Sequence, residues 1–297
     1  MRLSRIDLHM HSTVSDGTDS PLDLLQKVRE AGLLYFSLSD HDAIEGNQEI
    51  LSSLKEGDPK FLTSVEFSCK DDVGKYHILG YGFDPEHVAI RKVVKAGHDV
   101  RITLLHERLL FLKENFDITF PEEELDALLS LKNPGKPHLA ALLVKAGHAR
   151  DKKDAFENFL NKIPNKDRYT HPKDAIDGIL LSGGIPVLAH PFYGTSTEWI
   201  ASADLAARVR HLKDLGLMGL EAFHSRFSAE NSREILDLSH LFDLLVTAGS
   251  DYHGDNKKVA IGEITREETP FTGAFSEGNI EKLPKGLQDF FARRIMG

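Results

Sequence analysis

Short apolar runs alternate with amphipathic stretches along most of this chain, and that alternation limits its possible folds more than any other feature. In residues 1–84 the runs Ile6-Asp7-Leu8, Phe36-Ser37-Leu38-Ser39 and Phe61 to Phe67 are separated by helical patterns at Leu22 to Ala31 and Ile44 to Leu54. The pattern predicts β-α-β-α-β, followed by a hairpin-like strand from Tyr76 to Phe83. Ser20-Pro21 opens the first helix, where the N–H that proline lacks would be unpaired anyway, and Gly32 closes it. After residue 170 the alternation resumes: helix near Ala175 to Leu181, strand Ile185 to Ala189, helix Ala203 to Leu215, strand Met218 to Phe223, helix Ala229 to Leu241, strand Leu244 to Ala248. Repeated units of this kind predict an α/β fold built on a parallel sheet or barrel.

The segment between these halves has helical periodicity instead. Val93, Val94, Ile102, Leu105, Leu109 and Leu112 share a face, with breaks at Pro121, Asn133-Pro134-Gly135 and Gly147. This predicts a helical insertion, or cap, over residues 85–169, with residues 1–84 and 170–297 forming the barrel. The C-terminal tail has no clear period and is expected to be partly disordered.

Composition sets further bounds. With 297 residues, of which 41% are hydrophobic, the chain can bury a substantial core without staples. Its only cysteine, Cys69, allows no intrachain disulfide. No leader-like N-terminus and no apolar run near the roughly 20 residues that span a bilayer is present, so a cytoplasmic, non-membrane protein is expected. The net charge of -10 opposes stable binding of duplex nucleic acid. A small phosphorylated partner remains compatible, because bound cations reverse the local field.

The chemistry-bearing side chains fall at the ends of the predicted strands: His9 and His11, then Asp40-His41-Asp42, Glu66, His77, His190, and Asp251 with His253. Strand ends on one rim are where α/β barrels build sites. Alternate residues of a strand share a face, so His9 and His11 can present both imidazoles to one ion, and Asp251 and His253 repeat the spacing. Imidazole with carboxylate and no thiolate suits zinc, manganese or iron. The donors exceed what one tetrahedral ion can use, which predicts two or three divalent ions with Glu66 as a bridging carboxylate.

These segments, Asp7-Leu8-His9-Met10-His11-Ser12 with Asp16-Gly17, Ser39-Asp40-His41-Asp42, Val65-Glu66-Phe67-Ser68, Ala189-His190-Pro191 and Gly249-Ser250-Asp251-Tyr252-His253, resemble the motifs of the polymerase and histidinol phosphatase (PHP) superfamily. The resemblance implies a distorted (β/α)7 barrel with a trinuclear metal site. It implies His9, His11, Glu66 and Asp251 around one ion, Glu66, His77 and His190 around a second, and Asp16, His41 and His253 around a third. Asp40 and Asp42 are then read as orienting His41 and its neighbours, and Asp40 is also counted among the catalytic candidates. The insertion, with Gly135-Lys136-Pro137-His138, resembles the branch that acts on nucleoside 3′,5′-bisphosphates or on the 5′ ends of short RNA. The chain departs from that branch at Lys136, where arginine is expected, and at Phe192-Tyr193, where glycine and arginine are expected.

The function this predicts is phosphate-ester hydrolysis by a metal-bound hydroxide, with the ions stabilising charge on the non-bridging oxygens. His224 is a candidate to bind phosphate or protonate the leaving oxygen. Lys136, His138 and Arg101 are candidates to close over a second phosphate. Histidinol-phosphate phosphatase is an alternative enzyme reading, and a non-catalytic accessory module is the alternative of another class.

Overall fold

The structure, a computed structural model, describes residues 3–131, 133–164, 168–194 and 199–294. The first half of the barrel runs β1 (Ile6–Asp7), α1 (Pro21–Glu30), β2 (Tyr35–Leu38), α2 (Glu45–Ser53), β3 (Lys60–Lys70) and β4 (Lys75–Tyr81). Four helices follow: α3 (Val88–Phe116), α4 (Glu122–Leu129), α5 (Lys136–Lys145) and α6 (Lys152–Asn158). The chain then returns through α7 (Pro172–Leu181), β5 (Ile185–Leu188), α8 (Ser202–Asp214), β6 (Gly219–His224), α9 (Ala229–Leu241) and β7 (Leu245–Gly249), and ends with α10 (Thr272–Glu277) and α11 (Lys285–Arg294).

The seven strands form one sheet in sequence order, parallel except that β4 runs antiparallel to both β3 and β5. The sheet curls until its edges meet. Leu8 N donates to Ala248 O at 3.0 Å, and Met10 bridges Tyr252, so the barrel is nearly closed. The strands are short runs buried on both sides, inward by barrel contents and outward by helices, which is why they are read from apolar runs rather than alternation.

Local chemistry sets the helix ends. Ser20 Oγ accepts from Asp23 N to cap α1, Ser228 forms a capping box with Asn231 at α9, and Asp117 closes α3 in the left-handed region at φ 55°. Helix α3 has 29 residues and spans two apolar clusters. Ile90, Val93 and Val94 pack into the barrel core, while Leu105 and Leu112 pack with Leu139 and Leu143 of α5 and with Leu160 just past α6.

The tail differs from its expectation. Phe290 and Phe291 of α11 are fully buried, their rings 5.4 Å from Tyr81 and 4.8 Å from Tyr35. Tyr35 begins β2 and Tyr81 ends the antiparallel β4, so α11 covers the barrel end opposite the parallel strands' carboxyl ends. Adjacent apolar residues on a short helix look irregular until a barrel floor is available to bury them. Among the described residues no helix is long and apolar enough to cross a membrane.

Candidate metal centre

The carboxyl ends of the parallel strands converge on Glu66. His9 and His11 follow β1, His41 follows β2, Glu66 lies within β3, His190 follows β5, and Asp251 and His253 follow β7. His77 sits near the start of β4, and the antiparallel direction of that strand brings it to the same rim, opposite Ser68.

The two oxygens of Glu66 face different groups. Oε1 lies 2.9 Å from His77 Nδ1 and 2.9 Å from His190 Nε2. Oε2 lies 3.3 Å from His9 Nε2, 3.2 Å from His11 Nε2 and 3.3 Å from His41 Nδ1. On one flank, Asp251 Oδ1 is 3.5 Å from His11 Nε2. On the other, Asp16 Oδ1 is 3.2 Å from His253 Nε2. All nine expected ligands meet, in overlapping groups whose donor atoms lie within 4.8 Å of one another. His77 and His190 share Glu66 Oε1, and Asp16 and His253 are grouped with His11 as well as His41.

The hydrogen bonds fix the direction of several lone pairs. His9 Nδ1 meets Glu221 Oε1 at 2.9 Å, His190 Nδ1 meets Tyr193 O at 3.2 Å, and His253 Nδ1 meets Asp251 O at 2.9 Å. An oxygen that can only accept keeps the ring proton on Nδ1, which leaves Nε2 of each ring as a lone pair. Those lone pairs point at carboxylate oxygens and at each other, with His9 Nε2 and His11 Nε2 only 3.1 Å apart. Such convergence is repulsive unless a proton or a cation lies among the atoms. Two nitrogens on one tetrahedral ion at ~2.05 Å would stand roughly 3.3 Å apart, so the spacing fits divalent ions. The buried nitrogens His11 Nδ1 and His41 Nδ1 also lack a hydrogen-bond partner.

The electrostatics of the bare cluster agree. Burial resists charging His9, but the Glu221 and Glu66 carboxylates outweigh it and lift its pKa well above the imidazole norm. Burial likewise opposes ionising Glu66, yet His41, His9 and His77 hold it well below the usual carboxylate range. His11, pushed down by burial and by His253, stays neutral. Three residues here adopt positive φ: Asp42 at 49°, His190 at 25° and Asp251 at 59°. Side chains other than glycine pay about 1–3 kcal/mol for such backbone, a strain typical of functional sites. Gly249 allows the closest approach: a Cβ there would stand 2.2 Å from His9 Cβ.

The expectations for Asp40, Asp42, His138 and His224 change. Asp40 holds the neighbours of His41 rather than His41 itself, and it reaches no open space. It is fully buried, and its carboxylate accepts from Ser12 N at 2.8 Å, Ser12 Oγ at 2.7 Å and Ser15 Oγ at 2.6 Å, so it holds the loop that carries Asp16. Asp42 instead accepts from Arg101 Nε at 2.7 Å. His138 accepts from Gly135 N at 3.1 Å and caps α5 rather than lining the cavity beside the cluster. That cavity, about 200 Å³, has Asp16, His41 and His77 on one side and Arg101, Arg108, Lys136, Arg168 and Tyr169 on the other.

His224 is fully buried rather than open on the rim. Its Nδ1 accepts from Arg226 N at 3.1 Å, so the neutral ring carries its proton on Nε2, 3.4 Å from Asp251 Oδ2. That makes it a donor and not a ligand.

Sequence reasoning missed Glu221 and Lys257. Glu221 is fully buried, joins His9 Nδ1 through Oε1 and accepts from His190 N at 2.8 Å through Oε2. A carboxylate inside the apolar strand Gly219–His224 was the available signal, since such a charge is buried only with partners. Lys257 pairs with Asp251 Oδ2, and nothing in its local sequence marks it.

Comparison with known proteins places this geometry among relatives. The profile of the PHP domain matches residues 7–170. The 3′,5′-nucleoside bisphosphate phosphatase of Chromobacterium violaceum is 26% identical over 292 residues, covering 95% of this chain and 93% of that protein. The 5′-3′ exoribonuclease of Haemophilus influenzae is 26% identical over 255 residues, covering 84% and 90%. A solved structure from Bifidobacterium adolescentis, described as a candidate metal-dependent phosphoesterase, superposes with a TM-score of 0.77 at 26% identity, covering 98% of this chain and 96% of that one.

Proposed function

This chain belongs to the PHP domain family, and on that premise we propose that it is a metal-dependent phosphoesterase acting on nucleotides, with nucleoside 3′,5′-bisphosphates or the 5′ ends of short oligoribonucleotides as substrates. The observation that carries this reading is the two-faced Glu66 carboxylate, with histidine lone pairs converging on each oxygen. His9, His11, Glu66 and Asp251 would hold one ion, Glu66, His77 and His190 a second, and Asp16, His41 and His253 a third. Such ions supply Lewis acidity to phosphoryl oxygens and make water acidic near neutral pH.

The remaining residues bind and orient. His224, with Nδ1 committed to Arg226 N, turns Nε2–H toward Asp251 Oδ2 at 3.4 Å and would orient that carboxylate. Lys257 balances the charge of Asp251 on the same side. Arg101, Arg108 and Lys136 line the cavity on the His41 and His77 side, where a second phosphate would be held. The names of the two relatives, a nucleoside bisphosphate phosphatase and a 5′-3′ exoribonuclease, agree with a nucleotide or RNA substrate.

Phosphate release with manganese added, from a nucleoside 3′,5′-bisphosphate, a short 5′-phosphorylated oligoribonucleotide, a nucleoside monophosphate and histidinol phosphate, tests the reading. The first two should be turned over with the highest kcat/KM. Turnover confined to histidinol phosphate would overturn the substrate class.

A further inference from the structure

We infer that the cationic cavity continues into a base-binding pocket, in which Leu104, Phe111, Ile163 and Pro164 receive the nucleobase of a ligand whose phosphate lies against Arg108; this rests on the nucleotide reading above. The two spaces share part of their walls. The cavity beside His41 and His77 contains Leu104, Arg108 and Lys136, and a second cavity of about 240 Å³ shares those same three residues before adding Leu110, Phe111 and Ile163.

Helix α3 arranges the sequence of surfaces. Residues 101, 104, 108 and 111 recur at helical spacing on one face, so that face presents Arg101, Leu104, Arg108 and Phe111 in turn. Gly97 seats its near end against Asp42, where a Cβ would stand 2.9 Å from the Asp42 Cβ. From Arg101 to Phe111 the helix rises roughly 15 Å at ~1.5 Å per residue, room for a phosphorylated nucleoside laid along it.

Each end of the pocket asks for a different group. Arg108 is largely withdrawn from water, and burial, with Arg101 close by, pushes its guanidinium down to about 10. Among the described residues no carboxylate forms an ion pair with it, so its guanidinium stands beside the shared wall of the two cavities with Glu107 as its acidic neighbour and no direct salt bridge. Phe111 is only half-buried and belongs to none of the three apolar clusters, and neighbouring Leu110 is 54% exposed. Glu107 and Glu114 line the far end. The lining therefore passes from cationic to apolar to acidic. An anion followed by a flat apolar ring with N–H groups on its edge matches that order, and the further phosphates of an oligoribonucleotide would leave this groove before the two glutamates.

The test compares binding of two non-hydrolysable phosphonate ligands to the full chain with manganese: a nucleoside 3′,5′-bisphosphonate and its abasic counterpart. Calorimetry should show the nucleoside ligand binding more tightly, and Phe111→Ala should weaken it on the order of 10-fold, the usual scale of lost base stacking, while affecting the abasic ligand far less. Phe111→Tyr should restore the difference, which separates stacking from a general disturbance of α3. Equal affinity of wild type for the two ligands, or equal loss of both in Phe111→Ala, would overturn the inference. Turnover of the corresponding phosphates is read separately. A protein that binds the base through Phe111 yet releases no phosphate sinks the phosphoesterase reading and leaves the pocket standing.

Discussion

At the scale of single residues, the cluster depends on groups that never touch a substrate. Glu221 fixes His9 with its proton on Nδ1 and anchors the strained backbone at His190, so it sets the direction of one lone pair and the position of another. Partners of this kind contribute about 10- to 100-fold to metal affinity. Glu221→Gln keeps the shape but turns an amide N–H₂ toward one of two N–H donors. Metal affinity, measured by chelator competition, should fall within that range, and the His9 ring nitrogen shifts of the metal-free protein should report a changed tautomer. Unchanged affinity and unchanged shifts would remove Glu221 from the account. The ligands were legible because acid and imidazole recur at strand ends. Glu221 was not, because its partners His9 and His190 lie 212 and 31 positions away, and Lys257 was not, because a single lysine six residues past Asp251 carries no periodic or motif signal.

Among the elements, the strands and barrel helices fell close to their expected places, since apolar runs and caps are local signals. Two outcomes needed tertiary context. Helix α3 carries Gly97 where Asp42 packs in the place of a side chain, and α11 is ordered because the barrel floor buries it. The second point has a measurable consequence. Phe290→Ala and Phe291→Ala each remove a fully buried ring, so each should cost about 3–5 kcal/mol in denaturant unfolding. Because α11 lies at the end opposite the cluster, kcat of the folded fraction should be unchanged. A loss below about 1 kcal/mol would show that α11 is not packed as described.

For the whole molecule, a net charge of -10 and a site prepared for an anionic ligand are reconciled only by cations. Asp16, Glu66 and Asp251 gather negative charge at one rim, and the cavity beside them is lined by Arg101, Arg108, Lys136 and Arg168. Bound divalent ions would join these halves by neutralising the carboxylates and presenting positive field to a phosphate. The most direct measurement follows phosphate release from a nucleoside 3′,5′-bisphosphate while chelator-treated protein is titrated with manganese and bound metal is counted by elemental analysis. The account predicts no release without metal and a rate that rises to a plateau at two to three equivalents per chain. Full activity in metal-free protein, or a chain loaded with metal that releases no phosphate, would contradict it.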